Sequence, residues 1–214
     1  RTHYPKSIED EITIVDQEYT RFDDMVGRVT TPGFMKEIVA EITRLARNSP
    51  EISQRSGVSL RMSISNYETL LGSALKRAIR HREPASPRIT DLPSIAASTT
   101  GKIELETVEE GREGKLIASL IDRAVLSIFG KYFTVGEFDD VLSGFDEGMM
   151  IDAGPDVPSF VYVEQLKHAP ALSELVNRVS GTGKPAEIAS AVELVLEGLH
   201  LNRRLNCERS DTGY

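Results

Sequence analysis

The 214-residue sequence predicts a mainly α protein with a short strand element, and three observations carry that expectation. Apolar residues recur at three- and four-residue steps over several long segments, the spacing of helices that bury one side. Serine, proline and glycine stand at the ends of those segments, where helices start and stop. A single stretch, "TGKIELE" at 100–106, alternates apolar and polar residues as a half-exposed strand does.

Each element has its own justification. Ser7 is expected to cap a helix over 7–19, although Asp10 stands where a full capping box wants a glutamate or glutamine. Pro32 at a first helical position, with Ile38, Ile42 and Leu45 behind it, opens a second helix that runs to about Arg47 and stops at Asn48-Ser49-Pro50. A third helix carries the stripe Leu60, Ile64, Tyr67, Leu71, Leu75 and Ile79 and ends near His81. Gly57 precedes it, and Ser56 or Ser59 is placed to cap its first turn. Arg61 falls in that first turn, where the positive end of the helix dipole disfavours a cation unless an anion is near.

From 83 to 98 the composition shifts to Pro84, Pro87 and Pro93 among small polar residues, which reads as an irregular connection between two blocks. The second block opens with Ile103 and Leu105 in the strand-like stretch, whose partner the sequence does not name. Over 110–133, Leu116, Leu120, Ile121, Ala124, Val125, Ile128 and Phe129 form a broad apolar face, the best candidate for a central helix. Shorter helices are expected over 135–145, 158–167 and 170–180, separated by Gly148, Gly154-Pro155 and Pro170. A last helix follows Pro185, with Ile188, Val192, Val195, Leu196 and Leu199 on one face, to about Leu205.

Composition bounds the function. With 40% hydrophobic and 27% charged residues, the chain can build one large core or two small ones. Lysine and arginine total 25 against 33 acidic residues, a formal charge of −8, so no globally basic surface is indicated and no nucleic-acid partner is expected, a local basic patch staying open. The lone Cys207 has no partner for an internal disulfide, and neither a signal peptide nor a membrane-spanning apolar run is present, so a reducing, cytoplasmic setting is expected. The chain begins Arg-Thr-His-Tyr-Pro without a methionine and is expected to be a fragment of a longer polypeptide.

Several chemical motifs are disfavoured by what they lack. "SGTGKP" at 180–185 has glycines before a lysine, but Arg178 stands where a phosphate loop needs glycine and Pro185 where it needs serine or threonine, so a turn is expected. Glu104, Glu106, Glu109, Glu110 and Glu113 lack the glycine-anchored spacing of a calcium loop and read as a solvated face. His3, His81, His168 and His200 are too scattered for a metal pair, and no histidine motif accompanies Cys207. Arg203 and Arg204, near the end of the last helix, complement its dipole.

The six residues "SGVSLR" ending at Arg61 resemble the sensor-2 motif of AAA+ ATPases of the magnesium-chelatase and MoxR-like clade. "RTHYP" followed by "SIEDEITIVDQE" is similar to the exit from the core into the first lid helix. "VELVLEGLHLNRRLN" and "TGKIELE" resemble the C-terminal helix and part of the extra domain of a chelatase-related subfamily. The resemblance implies an AAA+ helical lid over 1–83 with its sensor-2 helix at 57–81, a linker over 84–98 and a C-terminal helical domain over 99–214. It implies that Arg61 approaches the γ-phosphate and that Tyr4 and Pro5 lie near the adenine side. ATP and Mg2+ would be held mainly by a core outside this chain, so the fragment alone is not expected to be catalytic. It further implies a homo-oligomeric ring and a partner with a von Willebrand factor A domain. A non-catalytic helical interaction module is the alternative from another class.

Overall fold

In the computed structural model, which describes residues 3–19, 29–53, 55–106 and 111–206, the helices begin close to where capping residues place them. Ser7 Oγ accepts the amide of Asp10 at 3.1 Å, and α1 covers Ile8–Glu18. Pro32 is the cap rather than the first residue of α2, Gly33–Arg47, whose last turn is closed by Asn48 Nδ2 donating to the Arg44 carbonyl at 2.8 Å. The third helix, α3, is Arg61–His81 and ends on Arg82 in the left-handed region, φ 55°.

The buried face of α3 differs from the apolar stripe. Ile79, expected to be buried, is 58% exposed. Met62, Ser63, Asn66, Leu70, Ala74 and Arg77 are buried instead. Hydrogen bonding makes this possible, because a buried polar group costs little once paired. Ser63 meets Glu11, Asn66 Oδ1 accepts from Ser98 at 2.7 Å and Thr99 at 3.0 Å, and Arg77 donates to Asp91 at 2.8 Å.

The stretch 84–98 is itself part of the interior. Ala85, Ser86, Arg88, Leu92 and Ile95 are buried, and a 3-10 turn over Ile89–Ile95 leads into the one-turn helix α4, Ala96–Thr99. The strand-like stretch that follows forms an isolated antiparallel bridge, Ile52 with Leu105, and no longer strand among the described residues. Ser53 donates to the Glu104 carbonyl at 2.7 Å and Glu106 to that of Glu51 at 3.0 Å. Alternation is kept, with Ile103 buried and Glu104 and Glu106 exposed. Gly101 (φ 77°) and Gly57 (φ 66°) bend the backbone within five residues of the bridge.

The central helix α5 is Arg112–Tyr132 and packs on α2 and on α9, Pro185–Leu201. Between them a 3-10 turn, Val135–Phe138, leads into α6, Asp139–Asp146, followed by α7, Ser159–Leu166, and α8, Pro170–Val179. The turn before α9 is the glycine-rich "SGTGK", closed by buried Glu187, which accepts from the Thr182 amide at 2.8 Å and its hydroxyl at 2.9 Å. The helix stops at Leu201, short of Leu205, where Arg203 takes φ 58°. One connected apolar cluster extends from Val15 in α1 through Ile38, Ile42, Leu120, Ile128 and Leu194 to Leu199 in α9. Phe129, Phe133 and Phe138 meet at one end of it with centroids 5.3–5.5 Å apart.

A network of charge sits beside this cluster. Arg88, fully buried, donates to Glu83 at 2.9 Å, to Ser159 Oγ at 2.6 Å and to the Val157 carbonyl at 2.8 Å. Arg77 reaches Asp91 and the Ser86 carbonyl, at 2.8 and 2.7 Å. From α9, Glu193 accepts from the Thr90 amide at 2.9 Å and from the Tyr162 hydroxyl at 2.7 Å. Burial pushes the Glu193 carboxyl above its usual range, against the pull of Arg88. Three carboxylates and two guanidiniums therefore join α3, the 3-10 turn, α7 and α9 at one corner.

Candidate functional site

Arg61 opens α3 from an anchored loop. Gly57 takes φ 66°, a value that a side chain disfavours, and lets the chain double back before the helix. On one side the loop is held by the bridge to Leu105 and by the Ser56 hydroxyl on Glu104. On the other, the Val58 amide donates to Tyr4 Oη at 3.2 Å, and Arg47 Nε donates to the Val58 carbonyl at 3.2 Å. Val58 and Met62 are buried and fix the loop to the core. Of the two candidate capping serines, Ser59 is the one that accepts an α3 amide, that of Arg61 itself, at 3.3 Å.

The Arg61 side chain is exposed. The first turn of α3 contains no acidic residue, and Arg61 makes no ion pair among the described residues. Arg44, Arg47, Arg77 and Arg88 each have a carboxylate within 3.0 Å. A cation at a helix N-terminus is disfavoured by roughly 0.3–1 kcal/mol at an exposed site, and a bound anion reverses the sign. The arrangement offers a guanidinium fork together with the positive end of a 21-residue helix.

Tyr4, the other residue expected at the site, lies against the same loop. It is 52% exposed, with its ring under the Arg47 guanidinium at 4.6 Å. The structure thus brings Tyr4 together with the residues leading to Arg61. Sequence reasoning missed Glu11 and Arg47, the pair behind them, joined at 2.6 and 3.1 Å. The available signal was Glu11 one turn before Val15, on the face of α1 that is buried.

Other sequence candidates stay apart. Glu104 accepts from Ser56, Glu113 accepts the Gly101 amide at 3.3 Å, and Glu109 and Glu110 lie outside the described residues, as does Cys207. No group of three or more histidine, cysteine or acidic residues suited to a metal ion occurs among the described residues. His81 contacts the Pro155 carbonyl at 3.0 Å and His200 that of Leu205 at 3.2 Å. A hollow of about 10 Å³ between α1, α2 and Tyr67 has room for about one water and not for a nucleotide. No helix among the described residues is long and apolar enough to cross a membrane. Comparison with protein-family models, curated proteins and solved structures found no match to this chain.

Proposed function

We propose that this chain is the lid and an appended helical domain of a magnesium-chelatase-like AAA+ ATPase that couples ATP binding and hydrolysis to remodelling of a partner protein. The observation that supports the reading is Arg61, exposed and without a carboxylate partner among the described residues, in the first turn of a long helix whose leading loop is fixed on both sides. A guanidinium so placed makes forked, charge-assisted bonds to a terminal phosphate. Loss of that phosphate releases it, and α3 carries the release into the rest of the chain. ATP and Mg2+ would be bound by a core carrying G-x-x-x-x-G-K-[ST] outside these 214 residues, and Arg61 is what this chain offers them. Assembly as a homo-oligomeric ring and a partner with a von Willebrand factor A domain complete the proposal.

A non-catalytic interaction module is the second reading, favoured by Met150 and Phe160, which are 85% and 63% exposed. Steady-state ATP hydrolysis and ATP binding by the full-length protein, wild type beside Arg61→Ala, separate the two. Loss of one charged phosphate contact, on the order of 1.5–3 kcal/mol, lowers turnover roughly ten- to hundredfold. Unchanged turnover in an active protein removes Arg61 from the mechanism, and absence of ATP binding in both proteins leaves the interaction module.

A further inference from the structure

We infer that Tyr4 is a positioning residue for Arg61, a latch by which the segment ahead of α1 sets where α3 presents its first guanidinium. The inference rests on the nucleotide-facing role proposed for Arg61 and adds a regulatory contact to it.

Both backbone polar groups of Val58, three residues before Arg61, are held by side chains distant in sequence. Its amide donates to Tyr4 Oη at 3.2 Å, and its carbonyl accepts from Arg47 Nε at 3.2 Å. Two residues after Arg61, the Ser63 hydroxyl bonds to Glu11 and lies 2.7 Å from that of Thr43. Glu11 is also the carboxylate that holds Arg47, at 2.6 and 3.1 Å. One buried ion pair therefore holds the Val58 carbonyl before Arg61 and the Ser63 side chain after it.

Tyr4 is the part of this device that can lift. Glu11 is 2% exposed, whereas Tyr4 is 52% exposed and precedes α1. Its ring covers one face of Arg47, with the guanidinium carbon 4.6 Å from the centroid. The loop is shaped to receive it, since a methyl at Gly57 would stand 2.5 Å from Tyr4 Oη. When Tyr4 lifts, Val58 loses its acceptor and Arg47 one covering face, while the Glu11–Arg47 pair stays. The α3 helix keeps its base, and the turn presenting Arg61 loosens.

The test uses the full-length protein with Tyr4→Phe, Tyr4→Ala and Arg61→Ala. Tyr4→Phe removes the acceptor and keeps the ring, so amide exchange at Val58 quickens about fivefold while amides in the middle of α3 do not change. Tyr4→Ala weakens ATP binding roughly three- to tenfold and ADP binding less than about twofold, because Arg61 addresses the terminal phosphate. Tyr4→Phe falls between Tyr4→Ala and wild type. A merely structural tyrosine would shift both nucleotides alike. If Arg61→Ala changes the ATP-to-ADP affinity ratio and neither Tyr4 variant does, the latch is refuted and the role of Arg61 stands. If Arg61→Ala leaves the ratio unchanged, the nucleotide-facing role falls and the latch with it. Unaltered Val58 exchange in both Tyr4 variants refutes the latch on its own.

Discussion

Replacing Gly198 with alanine tests the joint between α5 and α9. A methyl there would lie 2.1 Å from Cδ2 and 2.4 Å from Cγ of Phe129, well short of the 3.4 Å at which ordinary contact begins. The ring has little freedom to retreat, because Phe133 and Phe138 stand 5.3 and 5.4 Å from its centroid. Overpacking of a filled core costs about 1–3 kcal/mol, and this geometry belongs at the upper end. Alanine returns about 1 kcal/mol through its better helix propensity. The net loss is about 2 kcal/mol, which in urea lowers the unfolding midpoint by roughly 1 M with little change in slope. In a Phe129→Leu background the same substitution costs less than about 1 kcal/mol, since the two sites share one contact. An unchanged or raised midpoint for Gly198→Ala alone refutes the reasoning, because propensity would then outweigh the clash.

Three further outcomes follow from the charged and left-handed positions. Arg88→Met leaves Glu193 buried without its nearest guanidinium, takes one of two guanidiniums from half-buried Glu83, and costs about 3–5 kcal/mol by urea unfolding. The raised Glu193 carboxyl contributes stability that is complete below pH 4.5 and lost as pH rises through its folded value, so the Arg88→Met deficit is smaller at pH 5 than at pH 7; a deficit independent of pH counts against this. Glu137, held by the Thr134 hydroxyl and amide and by Arg178, titrates at about 2, and its contribution is present above pH 4.5 and lost as pH falls toward that value. An NMR titration of its carboxyl placing it near 4.5 would contradict the contacts. Gly57→Ala meets both the positive φ and Tyr4 Oη, and should lower stability by about 1–2 kcal/mol in urea, with a neutral result opposing the proposed loop geometry.

The ends of elements were more legible in the sequence than their faces. Ser7, Pro185 and the glycines at 181 and 183 act locally, and local chemistry is what a sequence displays. The buried face of α3 was not legible, because Ser63, Asn66 and Arg77 are buried through partners 14 to 52 residues away. The prolines over 84–98 read as an irregular connection, yet the stretch carries a 3-10 turn over Ile89–Ile95 and the start of α4, and pairing of Arg88 lets it be buried. Of the candidate site, Arg61 and Tyr4 could be singled out, while the Glu11–Arg47 pair that links them depends on a contact 36 residues long.

The corner around Arg88 also sets an order of events as the chain is made. Arg77, Glu83, Arg88 and Asp91 are synthesised close together, but the partners on α9 arrive much later: Glu193 bonds Thr90, and Ser190 bonds the Pro87 carbonyl, each across 103 residues. At about 5–20 residues per second, the ribosome delivers them roughly 5–20 s after the turn they join. Until then Tyr162 and Thr90 lack their carboxylate, and α5 lacks one of the helices that cover it. A nascent chain stopped before α9 exposes apolar surface and unpaired polar groups of the kind that quality-control proteases engage. Emergence of α9 closes both gaps at once, supplying the missing carboxylate and covering α5 in the same step.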